Sequence, residues 1–495
     1  METIVDTDAG KVVGREKRGV LLFAGLPYAA PPVGERRFRP PQPVEPWEGT
    51  REATRFSPWA PQSARGLGAV LAGAPVDWDE DCLYLNVQTP ALDDARRPVM
   101  VWIHGGAFVS GSGAVPWYDG AKLATRGDVV IVSINYRLGA LGWLHLGHLD
   151  ESYAGSGNNG LLDQIAALQW VQRNIAAFGG NPEDVTIFGE SAGGMSVGTL
   201  LGTPEARGLF HRAIAQSGAS QNVASTEIAT DVTEHLLETA GVSTVAELVA
   251  LDVEALLAAQ DAVSATGLRG RGVGAGLPFG PVVDGTVLRR PPMDEVRDGL
   301  SAHVPLLIGT NRDEWTLFAM ADKPDLDEET VLRRLSSITG DPHLVLEAYT
   351  DGSTIKQGWI DLMTDLVFRI PAIRLAEAQR AHQPSTFMYF FEWPTPVFGG
   401  AMGATHALEI PFVFDNLDRG GVQGFLGDDP PAALATEMQR AWLAFVHHDD
   451  PTHDGLPAPW PAFDEVDRAT MHFGVPSHLE HDPAPRRREV WSGIR

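Results

Sequence analysis

Asp184-Val-Thr-Ile-Phe188 runs directly into Gly189-Glu190-Ser191-Ala192-Gly193, and the reading of this stretch decides the fold. The first half is a short β-branched run of the kind that forms a buried strand, and the second opens an Ala/Gly-rich segment with helical character. A serine at such a strand-to-helix turn sits in a strained backbone conformation. Side chains two positions away on either side would collide with the neighbouring strand and helix, so both must be glycine. The turn lifts the Ser191 hydroxyl to the N-terminus of the following helix, where a nucleophile is useful.

Outward from this turn, strand and helix alternate. Pro98–Ile103 reads as a buried strand ending in His104-Gly-Gly, and Val129–Ile134 as another ending in Asn135-Tyr136-Arg137. Between Gly160 and Phe178, Leu162, Ile165, Leu168, Val171 and Ile175 recur at helical spacing, and Gly179-Gly180 closes the helix. Further strands are expected at Arg212–Gln216, Val304–Ile308, Thr386–Phe391 and Ala469–Phe473, and the N-terminus alternates like a strand that turns at Gly10. This alternation predicts an α/β protein with a large, mostly parallel central sheet flanked by helices. Ligands bind beyond the carboxyl ends of such strands, where the His104, Ser191 and Asn311 loops would meet.

Gly66–Asp79, Thr266–Gly280 and Asp415–Pro431 are expected to be insertions that wall an active-site gorge, and Asp322–Thr330 a solvated acidic face. With no internal repeat and no linker-like segment, residues 1–495 are expected to form one unit despite their length.

Composition narrows the partners. The chain is 44% hydrophobic with a net charge of −26, which suits a large core and repels phosphate backbones and anionic lipids. Nucleic acid and membrane are therefore not expected, nor is any cofactor. Cys82 is the only cysteine, so no internal disulfide can form, and a reducing compartment is expected. The stretch Pro98–Tyr118 is long enough to span a bilayer and free of formal charge, but His104, its prolines and its glycines argue against a membrane helix. The N-terminus has neither the basic start nor the apolar run of a signal peptide. These points together predict a soluble cytoplasmic protein, monomeric or weakly homo-oligomeric.

His104-Gly105-Gly106-Ala107-Phe108 supplies a second element of chemistry. Acyl transfer builds negative charge on a carbonyl oxygen, and N–H groups of small residues can point at it, joined by the N–H that follows the nucleophile. Gly106, Ala107 and Ala192 are the candidate donors. An acid that orients a histidine is expected between Ser191 and a late histidine. Asp313 and Glu314 both qualify, since both sit in a loop just after a strand. Among late histidines, His406 in Gly403–Pro411 is the candidate general base, whereas His382, His472 and the terminal histidines read as surface groups. The cluster His447-His448-Asp449-Asp450 with His453 and Asp454 matches no metal-ligand spacing, so no metal is expected there.

The chain resembles the type-B carboxylesterases, the cholinesterase-like branch of the α/β-hydrolases, and particularly bacterial members similar to para-nitrobenzyl esterase. The resemblance runs nearly end to end. It is carried by Gly25–Gly34, Arg37-Phe38, Glu80–Asn86, Asn135–Gly139, Asn158–Asp163, Phe178–Pro182, Gln216–Gly218, Pro281–Gly285 and the segments around Glu314 and His406. It implies an α/β-hydrolase fold and a serine esterase with Ser191, Glu314 and His406 as its triad, choosing Glu314 over Asp313. It implies supporting places for Glu190 and Ser217 and a substrate-lining place for Leu317 and Phe318, with Phe108 grouped beside them. Trp315 and Ala407 stand where relatives commonly have glycine, so loop shape near the triad is expected to differ. Cys82 matches a cysteine that secreted relatives pair, and here it has no partner. The aromatic groups that hold choline in cholinesterases have no counterpart, so a small-molecule ester other than a choline ester is the expected substrate. The rival expectations are a carbamate or aryl-amide hydrolase on the same triad and, more distantly, a non-catalytic adhesion protein like those relatives that have lost catalytic residues.

Overall fold

Eleven strands form one sheet in the computed structural model, which describes residues 3–63, 77–266, 276–321 and 326–494. In chain order they are β1 Arg15–Lys17, β2 Val20–Pro27, β3 Tyr84–Thr89, β4 Arg97–Ile103, β5 Val130–Ile134, β6 Gly180–Glu190, β7 Arg212–Gln216, β8 Leu306–Asn311, β9 Thr386–Phe391, β10 Ala469–Phe473 and β11 His478–His481. Across the sheet they run β11-β10-β9-β8-β7-β6-β4-β5-β3-β2-β1. From β5 to β10 all neighbours are parallel. The flanks β3-β2-β1 and β11 are antiparallel.

The central strands carry near-continuous apolar runs because helices cover both faces. Val99–Ile103 and Val130–Ile134 are buried without interruption, as parallel strands require. The strand runs expected from sequence are all present, with β7, β9 and β10 matching residue for residue. The hairpin at Gly10 joins Ile4–Thr7 to Gly10–Val13 in a separate small sheet.

The chain places β5 on one side of β4 and β6 on the other. This reversal opens a crevice beyond the carboxyl ends of β4 and β6, the usual ligand position in such sheets. The long helix between β5 and β6, α1 (Asn159–Asn174), ends sooner than its periodicity predicts. A tighter 3₁₀ turn, Ile175–Phe178, completes it before Gly179 at φ 82°. Leu161 is fully buried, and Leu162 packs against the same core while partly exposed. A buried bidentate pair fixes α1 to the loop after β5: Arg137 Nε and Nη2 donate to Asp163 at 2.8 and 2.7 Å, and the Arg137 N–H adds a third bond at 3.0 Å.

One expectation about insertions changes. Most of Gly66–Asp79 and of Thr266–Gly280 lies outside the described residues, as does part of Asp322–Thr330. The segment Asp415–Pro431 is no open loop. Asn416 donates to the carbonyls of Trp117 and Asp119 at 2.9 Å, and Val422, Phe425 and Leu426 pack into the core on one face of the sheet. Its apolar side chains close that core, which the polar ends of the segment conceal in sequence.

Candidate active site

Ser191 caps the helix that follows β6, α2 (Ala192–Leu201), at φ 58° and ψ −125°, a conformation costly for any residue with a Cβ. The flanking glycines are required by contact. A Cβ at Gly189 would stand 2.5 Å from the Ile103 carbonyl oxygen, and one at Gly193 only 2.0 Å from the same atom. The turn is held by Ser191 N–H donating to Gln216 O at 2.9 Å and by Met195 N–H donating to Ser191 O at 2.8 Å.

The His104–Phe108 turn lies against this serine. A Cβ at Gly105 would be 3.0 Å from both Ser191 Cβ and Glu190 Oε2. Gly106, Ala107 and Phe108 all have positive φ, 112°, 55° and 60°, so the chain coils tightly there. Among the described residues, the N–H groups of Gly106, Ala107 and Ala192 donate no hydrogen bond. Three unspent donors thus lie on the two turns around a serine. His104 underpins the turn: Tyr136 Oη donates to its carbonyl at 2.8 Å and stacks on its ring at 4.5 Å, while burial lowers its pKa to about 4. Phe108 is placed differently from Leu317 and Phe318. Its ring is fully buried and packs edge-on against Trp143 at 4.9 Å.

Glu314 and His406 meet from adjacent loops, after β8 and β9. Glu314 Oε2 lies 2.6 Å from His406 Nδ1, and Oε1 accepts from Ser217 Oγ at 2.5 Å and from the Asn311 N–H at 2.7 Å. The carboxylate is thus fixed on one oxygen and free to orient the imidazole with the other. Asp313, the other acid open on sequence grounds, is used elsewhere. It accepts from the Ala404 N–H at 2.7 Å and from Arg312 Nη2 at 2.9 Å, tying the two loops together.

On its other side His406 Nε2 stands 3.1 Å from Glu190 Oε1, and these two buried atoms find no other partner among the described residues. Burial works against an imidazolium here, but the charges of Glu190 and Glu314 overcome it and raise the His406 pKa to about 9. Burial likewise pushes Glu190 well above the usual carboxyl range. One proton is therefore held strongly between the two groups.

Two residues that sequence reading did not single out, Glu409 and Phe368, complete the surroundings. Glu409 is buried and raised to about 7, first by burial and then by the charge of Glu314. It accepts from Asn311 Nδ2 at 2.6 Å and from Gln216 Nε2 at 3.1 Å, and Asn311 Nδ2 also donates to Thr405 O at 2.8 Å. Phe368 lies 4.9 Å from the His406 ring and stacks at 6.1 Å on Phe318, itself 5.1 Å from that ring. Glu409 lies on the same quoted segment as His406, and its placement before an apolar run was the available signal. Phe368 had none, because it lies on a helical turn far along the chain.

Ala407 sits at φ 65°, a left-handed conformation that glycine favours, so its Cβ strains the loop. Trp315 stacks against Phe318 at 4.9 Å. His472, expected at the surface, is 4% exposed, because β11 covers it. In the histidine-rich C-terminal cluster the groups are engaged with protein: His447 with Gly127 O, His453 with Glu437 O, Asp449 with Arg212 and Asp454 with Arg440.

The model of the carboxylesterase family matches residues 1–491. The chain is 40% identical to para-nitrobenzyl esterase of Bacillus subtilis, with 98% of each chain covered. It is 38% identical to phenmedipham hydrolase of Pseudarthrobacter oxydans over 95% of each. A solved carboxylesterase of Geobacillus stearothermophilus superposes with a TM-score of 0.89 at 44% identity, covering 99% of this chain and all of that one. With the Ser191 turn, the unspent donors and the Glu314–His406 pair in one crevice, the chain belongs to the carboxylesterase family and is a carboxylic ester hydrolase of the α/β-hydrolase fold.

Proposed function

We propose that Ser191 is the nucleophile, His406 the general base and Glu314 the acid that orients it, in the hydrolysis of small carboxylic esters through an acyl-enzyme. The observation that carries this reading is the chain of contacts from Ser217 and Asn311 through Glu314 to His406 Nδ1, beside a serine on a strained turn. His406 Nε2 takes the Ser191 proton as Oγ attacks the ester carbonyl. Negative charge moves to the carbonyl oxygen, where the N–H groups of Gly106, Ala107 and Ala192 receive it. The tetrahedral adduct collapses as His406 returns the proton to the leaving alkoxide, and alcohol departs. Water, giving its proton to His406, then attacks the acyl-enzyme, and the acid leaves with Ser191 restored.

Phe318, against the His406 ring, is assigned to the acyl group, and Leu317 to the alcohol part. Ser217 supports the triad through Glu314, and Glu190 acts on His406 at Nε2, the nitrogen that takes the proton. Residues 1–495 act as one catalytic unit, monomeric or weakly associated, with no cofactor. Cys82, buried and unpaired, supports a cytoplasmic setting, and no helix among the described residues is long and apolar enough to cross a membrane.

The test is hydrolysis of para-nitrophenyl esters of increasing acyl length, one para-nitrobenzyl ester and one aryl carbamate, by the purified protein and by Ser191→Ala. Ester turnover that disappears in the variant supports the assignment, and the chain-length profile sizes the acyl pocket. Equal turnover in Ser191→Ala removes Ser191 from the mechanism, and a carbamate preferred over every ester replaces the substrate class.

A further inference from the structure

At the far edge of the sheet the register collects four side chains that the esterase chemistry does not use. His472 in β10 pairs directly with His478 in β11, and Phe390 in β9 pairs with His472 on the other side. Side chains two apart along a strand share a face, so Glu392, just beyond Phe390, and Glu480, two past His478, fall on the same side as both imidazoles. The observed contacts agree. Glu392 Oε2 lies 3.2 Å from His472 Nδ1, and Oε1 lies 3.6 Å from His478 Nδ1. Glu480 Oε2 faces the opposite ring nitrogens, 3.5 Å from His472 Nε2 and 3.8 Å from His478 Nε2. The two rings lie 4.7 Å apart.

This arrangement leaves a demand unmet. A neutral imidazole has one N–H and one lone pair. His472 has a carboxylate at each nitrogen, so in either tautomer a lone pair confronts a negative charge. Its Nε2 is buried without a hydrogen bond among the described residues.

We propose that Glu392, His472 and His478 bind a divalent transition-metal cation of the zinc class, with Glu480 accepting from the far ring nitrogens. The ligand atoms of the three residues already lie within 4.8 Å of one another. A tetrahedral ion with bonds of about 2.0–2.1 Å needs ligand separations of about 3.3 Å, and the two glutamate–histidine distances lie on either side of that value. His478, half-exposed, can turn to close the third. Both Nδ1 lone pairs and the Glu392 carboxylate, one oxygen facing each ring, would take the ion. Both Nε2–H groups would then point at Glu480, as histidine ligands commonly point at an outer carboxylate that fixes their tautomer. Space is kept beside the ligand: a Cβ at Gly474 would come within 2.9 Å of Glu392 Oε1. Two imidazoles and one carboxylate suit zinc and its neighbours rather than calcium or magnesium, which prefer all-oxygen sites. Glu392 also begins the connection from β9 to His406, so the ion would pin the root of that loop to the sheet edge.

The test is calorimetric titration of the full chain, stripped with chelator, with Zn²⁺ alone, alongside thermal unfolding with and without the ion. The expected result is one saturable site per chain and a higher melting temperature with Zn²⁺. His478→Gln and Glu392→Gln should each weaken binding about tenfold or more and abolish the stabilisation, and Glu480→Gln should weaken it by about 10–100-fold. His448→Gln, in the other histidine cluster, should leave it unchanged. Absence of saturable binding, or binding that survives unaltered in both His478→Gln and Glu392→Gln, overturns the proposal.

Discussion

His406 and His472 make an instructive pair. Each is nearly or fully buried, each lies on or after one of two adjacent strands, and each stands between two glutamates. Around His406 the carboxylates are buried too, at 4% and 0% exposure, and Glu314 is fixed by two donors. Water cannot screen their charges, so their field overcomes burial and the imidazole holds its proton up to about pH 9. Around His472 the glutamates are 23% and 45% exposed, their charges are screened, and burial prevails instead. The same residue set becomes a proton-transfer site where its acids are enclosed and fixed, and a cation site where they are open and movable.

Substitutions that remove one side of this contrast should have graded effects. The largest belongs to Ser191→Ala, which should lower kcat on a para-nitrophenyl ester by on the order of 10⁵–10⁶ while leaving Zn²⁺ binding at the sheet edge intact. Glu314→Gln should keep the fold but present the wrong tautomer of His406, costing about 10⁴ in kcat with little change in KM, as steady-state kinetics would show. Asp163→Ala leaves Arg137 buried without its partner and should destabilise the fold by about 3–5 kcal/mol in denaturant unfolding.

Glu190 separates the two sites by pH. His406 accepts the Ser191 proton only when neutral, so kcat/KM should rise with pH as the proton shared with Glu190 is lost. Removing the negative charge in Glu190→Gln lowers the affinity for that proton, and the acid limb of the profile should move to lower pH. An unmoved limb would mean that Glu190 does not act on His406. The smallest effect is expected at Ala407, where glycine relieves a left-handed backbone and should stabilise by about 0.5–1 kcal/mol in the same unfolding experiment.

Sequence made the centre of the molecule legible and its edges much less so. The parallel strands β4 to β10 announce themselves because burial on both faces demands unbroken β-branched runs. The antiparallel flank β1–β3 was missed: Arg15–Lys17 is short and charged, and Tyr84–Thr89 mixes polar and apolar residues. The glycines around Ser191 could be read because each answers to one nearby backbone atom, the Ile103 carbonyl. The choice between Asp313 and Glu314 could not be made from the residues alone. It depends on which acid meets the Asn311 N–H and also reaches Ser217 Oγ, a group nearly a hundred residues away in the chain. His472 was misread for a related reason, since only the pairing of β10 with β11 buries it.

The most direct measurement is mass mapping after reaction with an excess of an organophosphate diester bearing a para-nitrophenolate leaving group. A single phosphoryl adduct on the peptide containing Ser191, formed in step with loss of esterase activity and absent in Ser191→Ala, is the predicted result. An adduct on another residue, or activity that survives complete modification of Ser191, would contradict the account.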